Sequence, residues 1–502
     1  MSVAISDRQN IQLTGPYDTL RDYIAALEAR GRLLRIREMD QDQYEATALA
    51  YRLIERFGYY AAPAVLVERI KINGKWMDGP VITNLYGGLD TEAMACGVEE
   101  ITDNQEQMYR AAMEKILSQA DERGEWKRIK PVIVESGDAP CKEVVITGED
   151  IDICQFPWLK NNPCDAGRYV NSGAVILQDP QLGRNVGTYR CQVKERNKIG
   201  VNPEPGQNGW KFLMSMKERG ECTATAAIVL GVDPITFAMS STKVANLGED
   251  ELEFAGGFKG KPVELVKCET NEIMVPANAE MVIEGEIPLG MEEAEGPYAE
   301  MYGYMGAKKS RNFFMNIKAI THRRNPWFIN VFTGVTKDRH TAPMEATDFL
   351  RFKKTIPNLT AIYSPTWAIG VTVLSIDKKF PGEGITAGEH VAASKITAKT
   401  IIVVDKDINV LSPSNVLHAV GSRWQPHPAS LIIPQMSGMP SSIDPSAPIS
   451  GITSKIIIDA TRQLPQEGGP ESWAAVSRVL LEKNCPKAFE LVDEKWGDYF
   501  KS

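Results

Sequence analysis

Two carboxylates five residues apart, Glu295 and Glu300 in MEEAEGPYAEMYGY (291–304), are the side chains best suited to proton transfer in this 502-residue chain. Positions five apart lie on opposite faces of a regular strand. Gly296 and Pro297 break that geometry, which lets both carboxylates converge on one pocket. Proximity and burial raise one carboxyl of such a pair from about 4.3 toward neutrality, leaving a proton donor beside an ionised partner. The plain alternative is a solvated acidic loop. RNVGTYRCQ (184–192) contributes a cation: Asn185 and Arg190 also stand five apart, and a bulge at Gly187 would turn both to one site. Arg190 can grip a carboxylate through two parallel N–H bonds, a plausible anchor for an acidic substrate, although a lone strand arginine more often pairs on a surface. AMSSTKV (238–244) and GEDELEFAGG (248–257) offer hydroxyls, turn carbonyls and carboxylates. These are hard oxygen donors for divalent or alkali cations, or else an exposed acidic turn.

Other signatures of chemistry are missing. His322, His340, His390, His418 and His427 form neither HxH nor HxxxH and read as structural, and there is no GxSxG, GxxxxGK[ST] or GxGxxG motif. Eight cysteines without a CxxC pair suit reduced thiols in a cytoplasmic protein. Fifty-six Lys+Arg against 65 Asp+Glu give a formal charge of −9, which provides no basic field for nucleic acid or anionic lipid. No stretch approaches the roughly 18 apolar residues of a membrane span, and the start of the chain lacks a basic-then-apolar leader.

The length allows about three compact units to position these groups. Residues 1–130 read as an α/β segment: Thr19 opens a helix with Asp22 in the capping-box position, a second helix runs over 44–56, strands follow at 64–70 and 80–87, and a charged helical stretch covers 104–129. From 131 to 325, short strands with Gly- and Pro-rich turns, interrupted by one helix over 210–219, predict a barrel or sandwich. Residues 326–470 return to α/β alternation, with loops expected at 381–389 and 440–451. A helical appendage covers 471–502, its apolar stripe at Trp473, Val476, Val479 and Leu480 marking either a core helix or a dimer arm. The fold class is therefore a multidomain α+β / α/β protein.

Taken in order, NVGTYR (185–190), GVDP…SST (231–242) with ELEFAGG (251–257), VELVKCETNEIMVPANAEMVIEGEI (263–287) and EGPYAEMYGY (295–304) resemble the UbiD-like family. These are reversible decarboxylases that use prenylated FMN and include the ferulic acid decarboxylases. VVDKDINV…VLHAVGSRW (403–424) extends the resemblance through most of the chain. It implies a split-barrel flavin domain followed by a C-terminal α/β oligomerisation domain, in a homo-oligomer of dimer or hexamer size. By motif match, Arg190, Glu295 and Glu300 take the catalytic roles. Asn185, Gly187, Thr188, Tyr189, Arg190 and Gln207 line the flavin. Asn185 and Glu251 bind a divalent ion, usually manganese, while Ser240, Ser241 and Thr242 flank the flavin phosphate and a potassium ion. The histidine the family commonly adds to the metal falls on Asn208, a weaker donor for a transition metal. Met301, Tyr302 and Tyr304, with the segment 333–343 ending at Pro343, are expected to line a flat apolar pocket for a carboxylic acid that loses CO₂. Aromatic acids are favoured over acrylic ones, and a flavin prenyltransferase would supply the cofactor. Two other readings are a non-catalytic flavin-binding subunit of a larger carboxylase and a flavin-free lyase or hydrolase.

Overall fold

The computed structural model describes residues 11–337, 339–394, 396, 398–440, 443–447 and 449–500. Helix α1 (Leu20–Ala29) begins as its sequence predicts: the Thr19 hydroxyl accepts from the Asp22 amide (3.2 Å), and the Asp22 carboxylate accepts from the Thr19 amide (3.1 Å). Leu20, Tyr23, Ile24 and Leu27 form its buried stripe. β1 (Leu33–Asp40), α2 (Glu45–Phe57), β2 (Ala64–Ile72) and β3 (Lys75–Thr83) follow, in the sheet order β1-β2-β3. The strand expected over 80–87 starts earlier and stops at Thr83. After α3 (Leu89–Ala95), α4 (Gln105–Leu117) ends well short of residue 129. The chain turns where the Asp121 carboxylate takes the amides of Arg123 and Glu125 (both 2.9 Å), with Gly124 at φ +75°.

β4 (Val132–Ile133), β5 (Val144–Thr147), β6 (Tyr169–Val170), β7 (Ala174–Asp179), β8 (Gly183–Thr188), β9 (Cys191–Glu195) and β10 (Lys198–Val201) lead to α5 (Asn208–Glu218). Then come β11 (Thr223–Leu230), α6 (Pro234–Ser241), α7 (Glu251–Lys259), β12 (Glu264–Lys267), β13 (Met274–Pro276), β14 (Met281–Pro288), β15 (Glu293–Glu295), β16 (Tyr298–Ala299), β17 (Met305–Gly306) and the long β18 (Lys309–His322). The main sheet has the order β6-β9-β10-β18-β14-β11-β7-β8. β8 ends this path and β9 lies near its other end, yet only Tyr189 and Arg190 separate the two in the chain. Three Cα steps span at most about 11 Å, so the sheet must curl until its ends nearly meet, as a split barrel. Alternate side chains (Val175, Leu177, Val193, Ile228, Ile283 and Met315) share one core with Phe212, Leu213 and Met216 of α5, which packs on that face.

Two local expectations are corrected here. The β7–β8 ladder is regular from Ala174↔Thr188 to Asp179↔Gly183, so there is no bulge at Gly187; Arg190 is redirected by the passage from β8 to β9. The segments expected as turns at 238–244 and 248–257 contain the end of α6 and most of α7. Both helices are short and nearly all buried, so they show no polar face and no amphipathic period.

β19 (Phe328–Asn330) pairs parallel with β3, tying the barrel's exit to the first sheet. Beyond it, α8 (Ala342–Lys353), β20 (Leu359–Tyr363), β21 (Val371–Ile376), α9 (Glu383–Ala392), β22 (Thr400–Asp405), α10 (Pro413–Arg423), β23 (Ser430–Ser437) and β24 (Ile452–Ala460) build a sheet of order β20-β21-β22-β24-β23. The loop expected at 381–389 is largely α9. A Cβ at Gly388 would sit 2.3 Å from Ile457, and one at Gly384 2.2 Å from the Asp459 carboxylate, so these glycines serve close helix-to-strand packing. Of the second expected loop, Ser441, Ser442 and Pro448 lie outside the described residues. A buried ion pair, Glu92 of α3 with Lys337, links the first unit to the segment entering α8. The appendage forms α11 (Ser477–Asn484) and α12 (Lys487–Glu494) with no buried residue; Trp473 and Val476 of the expected stripe precede the helix, and Trp473 is half-buried with its Nε1 on the Gln463 carbonyl (3.0 Å), so the four do not form one helical face. No helix among the described residues is long and apolar enough to cross a membrane.

Candidate active site

Arg190 lies where the barrel's ends meet and holds both carboxylates. Its Nε and Nη2 donate to Glu295 Oε1 and Oε2 (2.9 and 2.8 Å), and Nη1 donates to Glu300. Glu295 ends β15, whose pairing with β18 fixes it; Gly296 (φ +74°) then turns the chain, and the Glu300 amide bonds the Tyr304 carbonyl (2.9 Å) to close a tight turn. Glu295 is 1% exposed and also accepts from Tyr169 Oη (3.1 Å). The Tyr298 ring lies under the guanidinium, 5.0 Å from centroid to Cζ, and 4.3 Å from the Tyr169 ring.

Electrostatics separates the two acids. Burial opposes the charge on Arg190, but its bonds to Glu295 and the charge of Glu300 outweigh it and hold the guanidinium protonated more firmly than usual. Burial pushes the Glu300 carboxyl up; Arg190 pulls it back only partly, so it stays above the usual carboxylate value. Glu295 takes a two-bond fork plus a tyrosine, whereas Glu300 takes one N–H. The geometry therefore places a carboxylate held by three hydrogen bonds beside Glu300, whose carboxyl is raised by burial. Glu204, in contact with Lys309, is an additional charge near Glu300.

A second group surrounds β8, an edge strand whose outward amides the ladder leaves free. One of these, Val186 N, donates to Glu251 Oε2 (2.9 Å) at the start of α7. Arg184 pairs with Asp250 instead (3.1 Å), so Glu251 is a buried carboxylate with no ion-pair partner among the described residues, and burial pushes its pKa up to about 8. Asn185 is 3% exposed and its side-chain amide lies beside the Tyr189 hydroxyl. The Tyr189 side chain is wedged against Gly187 and Gly209, where an added Cβ would stand 2.4 and 2.6 Å from its hydroxyl. That hydroxyl accepts from Gly209 N (3.0 Å), which ties the first turn of α5, with Asn208, to the Arg190 link. Thr188 Oγ1 meets Ser240 Oγ (3.1 Å), while the Ser241 and Thr242 hydroxyls donate back to the Phe237 and Ala238 carbonyls (both 2.8 Å). Gln207 is exposed, and its Oε1 accepts from Glu204 N (2.7 Å).

Glu251 is a buried carboxylate with no ion-pair partner among the described residues, and the side-chain carbonyl oxygens of Asn185 and Asn208 are hard donors, so these three residues fit a hard cation held by oxygen chemically. Among the described residues, no three His, Cys, Asp or Glu side chains come together as ligands. With no cation bound, the folded state favours neutral Glu251: its contribution is whole below the ordinary carboxylate range and is lost as pH rises through about 8. In metal-stripped protein, Glu251→Gln is expected to raise the thermal unfolding midpoint at pH 9 and leave it unchanged at pH 5, as read by calorimetry.

The residues expected around the substrate are dispersed. A Cβ on Gly334 would lie 2.6 Å from the Glu300 carbonyl, so the segment 333–343 does pack on the Glu300 turn; its Asp338 lies outside the described residues. Met301 is half-buried and Pro343 is buried at the start of α8. Tyr302 faces the last large sheet, with Lys399 Nζ 5.7 Å from its ring, and Tyr304 is 61% exposed. Tyr169 and Tyr298 were not singled out by sequence. Tyr298 sits inside EGPYAEMYGY, whose aromatic after the Gly-Pro turn was a usable signal; Tyr169 reaches Glu295 across 126 positions and carries no local mark.

Comparison with known proteins places these features in context. Residues 24–111, 132–336 and 341–460 match the N-terminal, Rift-related and C-terminal domains described for 3-octaprenyl-4-hydroxybenzoate carboxy-lyase (UbiD). The chain is 30% identical to the phenolic acid decarboxylase of Sedimentibacter hydroxybenzoicus, over 90% of this chain and 93% of that one. It is 29% identical to the phenolic acid decarboxylase of Bacillus subtilis, over 95% and 100%. Among solved structures, the UbiD-class enzyme HmfF from Pelotomaculum thermopropionicum in complex with FMN superposes with a TM-score of 0.75 at 30% identity, covering 91% of this chain and 97% of that one. The closed form of vanillic acid decarboxylase from S. hydroxybenzoicus gives 0.80 at 27%, covering 97% and 99%.

Proposed function

The chain belongs to the UbiD family of carboxy-lyases, and from that premise we propose that it decarboxylates an aromatic acid, reversibly, with prenylated FMN as its cofactor. The observation that carries the reading is one half-buried guanidinium shared between a locked carboxylate and a carboxyl of raised pKa. The aromatic class follows the named relatives, which include phenolic and vanillic acid decarboxylases, and the flavin follows HmfF structures holding FMN and prFMN.

When bound, prenylated FMN supplies the electron sink that cleavage of a carboxyl group from an sp² carbon otherwise lacks. Asn185, Gly187, Thr188, Tyr189, Gln207 and Ser240 would hold it. A divalent ion such as manganese would sit on Asn185, Asn208 and Glu251, and potassium on backbone oxygens at Ser240–Thr242. Arg190 orients the substrate carboxylate. Its Nε and Nη2 are committed to Glu295, so Nη1 is the donor to be released for substrate, and protonation of Glu300 releases it by removing the charge that strengthens the Glu300 bond. Binding the carboxylate and loading the proton are thereby coupled. Glu300 then gives its proton to the carbon left by CO₂ and takes one back in carboxylation. Glu295, pinned by Tyr169, holds Arg190 in place. Met301, Tyr302 and Pro343 border the substrate. Copies of this chain pair through the apolar face of α11 and α12, in the cytoplasm, with a flavin prenyltransferase as cofactor supplier.

The test is protein coexpressed with a flavin prenyltransferase, purified anaerobically and assayed for CO₂ release over benzoates, heteroaryl acids and cinnamates. A chromophore of prenylated-FMN mass with release from an aryl acid is expected. Release from protein carrying no flavin would overturn the cofactor assignment, and release from cinnamates alone would overturn the substrate class.

A further inference from the structure

A cleft of about 430 Å³ between the first sheet and the barrel contains none of the residues assigned above; Lys160, Arg168, Lys194, Ile72, Val193 and Cys154 are among those lining it. Its lining cations, Lys160, Arg168 and Lys194, outnumber its one lining carboxylate, Asp42, although Asp165 lies near Lys160. Arg168 donates from Nη1 to the carbonyls of Cys154 (3.1 Å) and Phe156 (3.5 Å), leaving Nε and Nη2 without an oxygen acceptor among the described residues. Neither Arg168 nor Lys160 has a carboxylate of the described residues within 4.0 Å. Lys194 donates to the Ala294 carbonyl (2.6 Å) and lies 3.5 Å from Glu293. The wall's carboxylate, Asp42, is occupied by the amides of Asn73 and Gly74 (2.6 and 2.7 Å). In a chain of net charge −9, this is a concave site of opposite sign.

We propose that the cleft binds a small aromatic carboxylate at a site separate from the one built on Arg190. The Nε/Nη2 edge of Arg168, which has no oxygen acceptor among the described residues and lies beside the Cys154 thiol, is the face that takes a planar carboxylate in two parallel bonds, Lys160 adds a second charge, and Ile72 and Val193 meet the ring. The walls are already held: Ala166 N bonds the Pro297 carbonyl (2.8 Å), and Asp165 takes the Ala299 amide (3.1 Å), so little ordering accompanies binding. The ligand class is that of the proposed substrate, but the site stands on its own side chains.

Cys154 reports on this cleft alone. Full-length wild-type protein is alkylated with iodoacetamide at increasing benzoate, and the rate at Cys154 is read by peptide mass spectrometry against the exposed Cys164 and Cys222. Alkylation of Cys154 should become about tenfold slower at ten times the half-protecting concentration, with the two exposed thiols unaffected. Lys160→Gln, a change that breaks no side-chain hydrogen bond, should raise the half-protecting concentration about tenfold, the effect of losing one charged bond. Adding Arg168→Gln should abolish protection. The proposal is overturned by absence of protection in the wild type, by protection unchanged in both variants, or by inorganic phosphate protecting where benzoate does not. None of these outcomes depends on CO₂ release, which tests the catalytic reading separately.

Discussion

Glu300→Gln is expected to lower kcat by about 10²–10⁴-fold, the usual contribution of a positioned general acid, while leaving the fold and flavin binding intact. The replacement is isosteric, and its amide oxygen can still accept the single Arg190 N–H, so what is lost is the transferable proton. Incorporation of solvent deuterium at the product carbon should fall in parallel with turnover. Because burial holds the Glu300 carboxyl above the usual carboxylate range, the protonated donor is present at low pH and disappears as pH rises through the raised value. The wild-type kcat profile should therefore decline on its alkaline side, and that limb should vanish in the glutamine variant. Wild-type turnover with undiminished deuterium incorporation in Glu300→Gln would assign the proton to another group.

Lys337→Met is expected to destabilise the protein by about 3–5 kcal/mol, the cost of leaving a buried charge without its partner. Lys337 is 1% exposed, its partner Glu92 is fully buried, and the Lys337 ammonium lies 5.9 Å from the Tyr60 ring. Burial opposes the Glu92 charge, but Lys337 outweighs it and keeps the carboxyl below its usual value. With Lys337 in place, burial holds the nearby His340 down at about 4, so its ring is neutral and Lys337 is the cation that faces Glu92. The pair's contribution is present above the ordinary carboxylate range and is lost as pH falls through the lowered Glu92 value. Denaturant unfolding should show the deficit, and Glu92→Met combined with Lys337→Met should recover most of it. Equal destabilisation in the single and double variants would mean that the pair acts through packing rather than charge.

What sequence revealed and what it hid divide along physical lines. The capping box at Thr19 and the apolar stripe of α1 are decided within a few residues, and both were legible. The Glu295/Glu300 convergence was legible because Gly296 and Pro297 cannot continue a strand. The same argument failed at Gly187, where the redirecting element is a change of strand that only the sheet order reveals. Helix α9 was hidden because its glycines, which read as loop, serve contact with Ile457 and Asp459. Tyr169 was hidden because its partner lies far along the chain. Conversely, the metal and phosphate roles at Asn185, Asn208, Glu251 and Ser240–Thr242 came from family resemblance; the residues alone left Glu251 and Ser240–Thr242 as polar turns and Asn185 as a strand residue near Arg190.

The two-residue link between β8 and β9 has a consequence for how such enzymes diversify. Arg190 occupies a joint with no spare length, so inserting or deleting a residue there would part the barrel's ends and displace the guanidinium together with Tyr189. New substrate ranges are then to be sought in side chains away from the joint, such as Met301, Tyr302 and Pro343, while the joint stays fixed. A library aimed at altered acids gains by randomising positions 301, 302 and 343 and holding 189, 190, 295 and 300 constant.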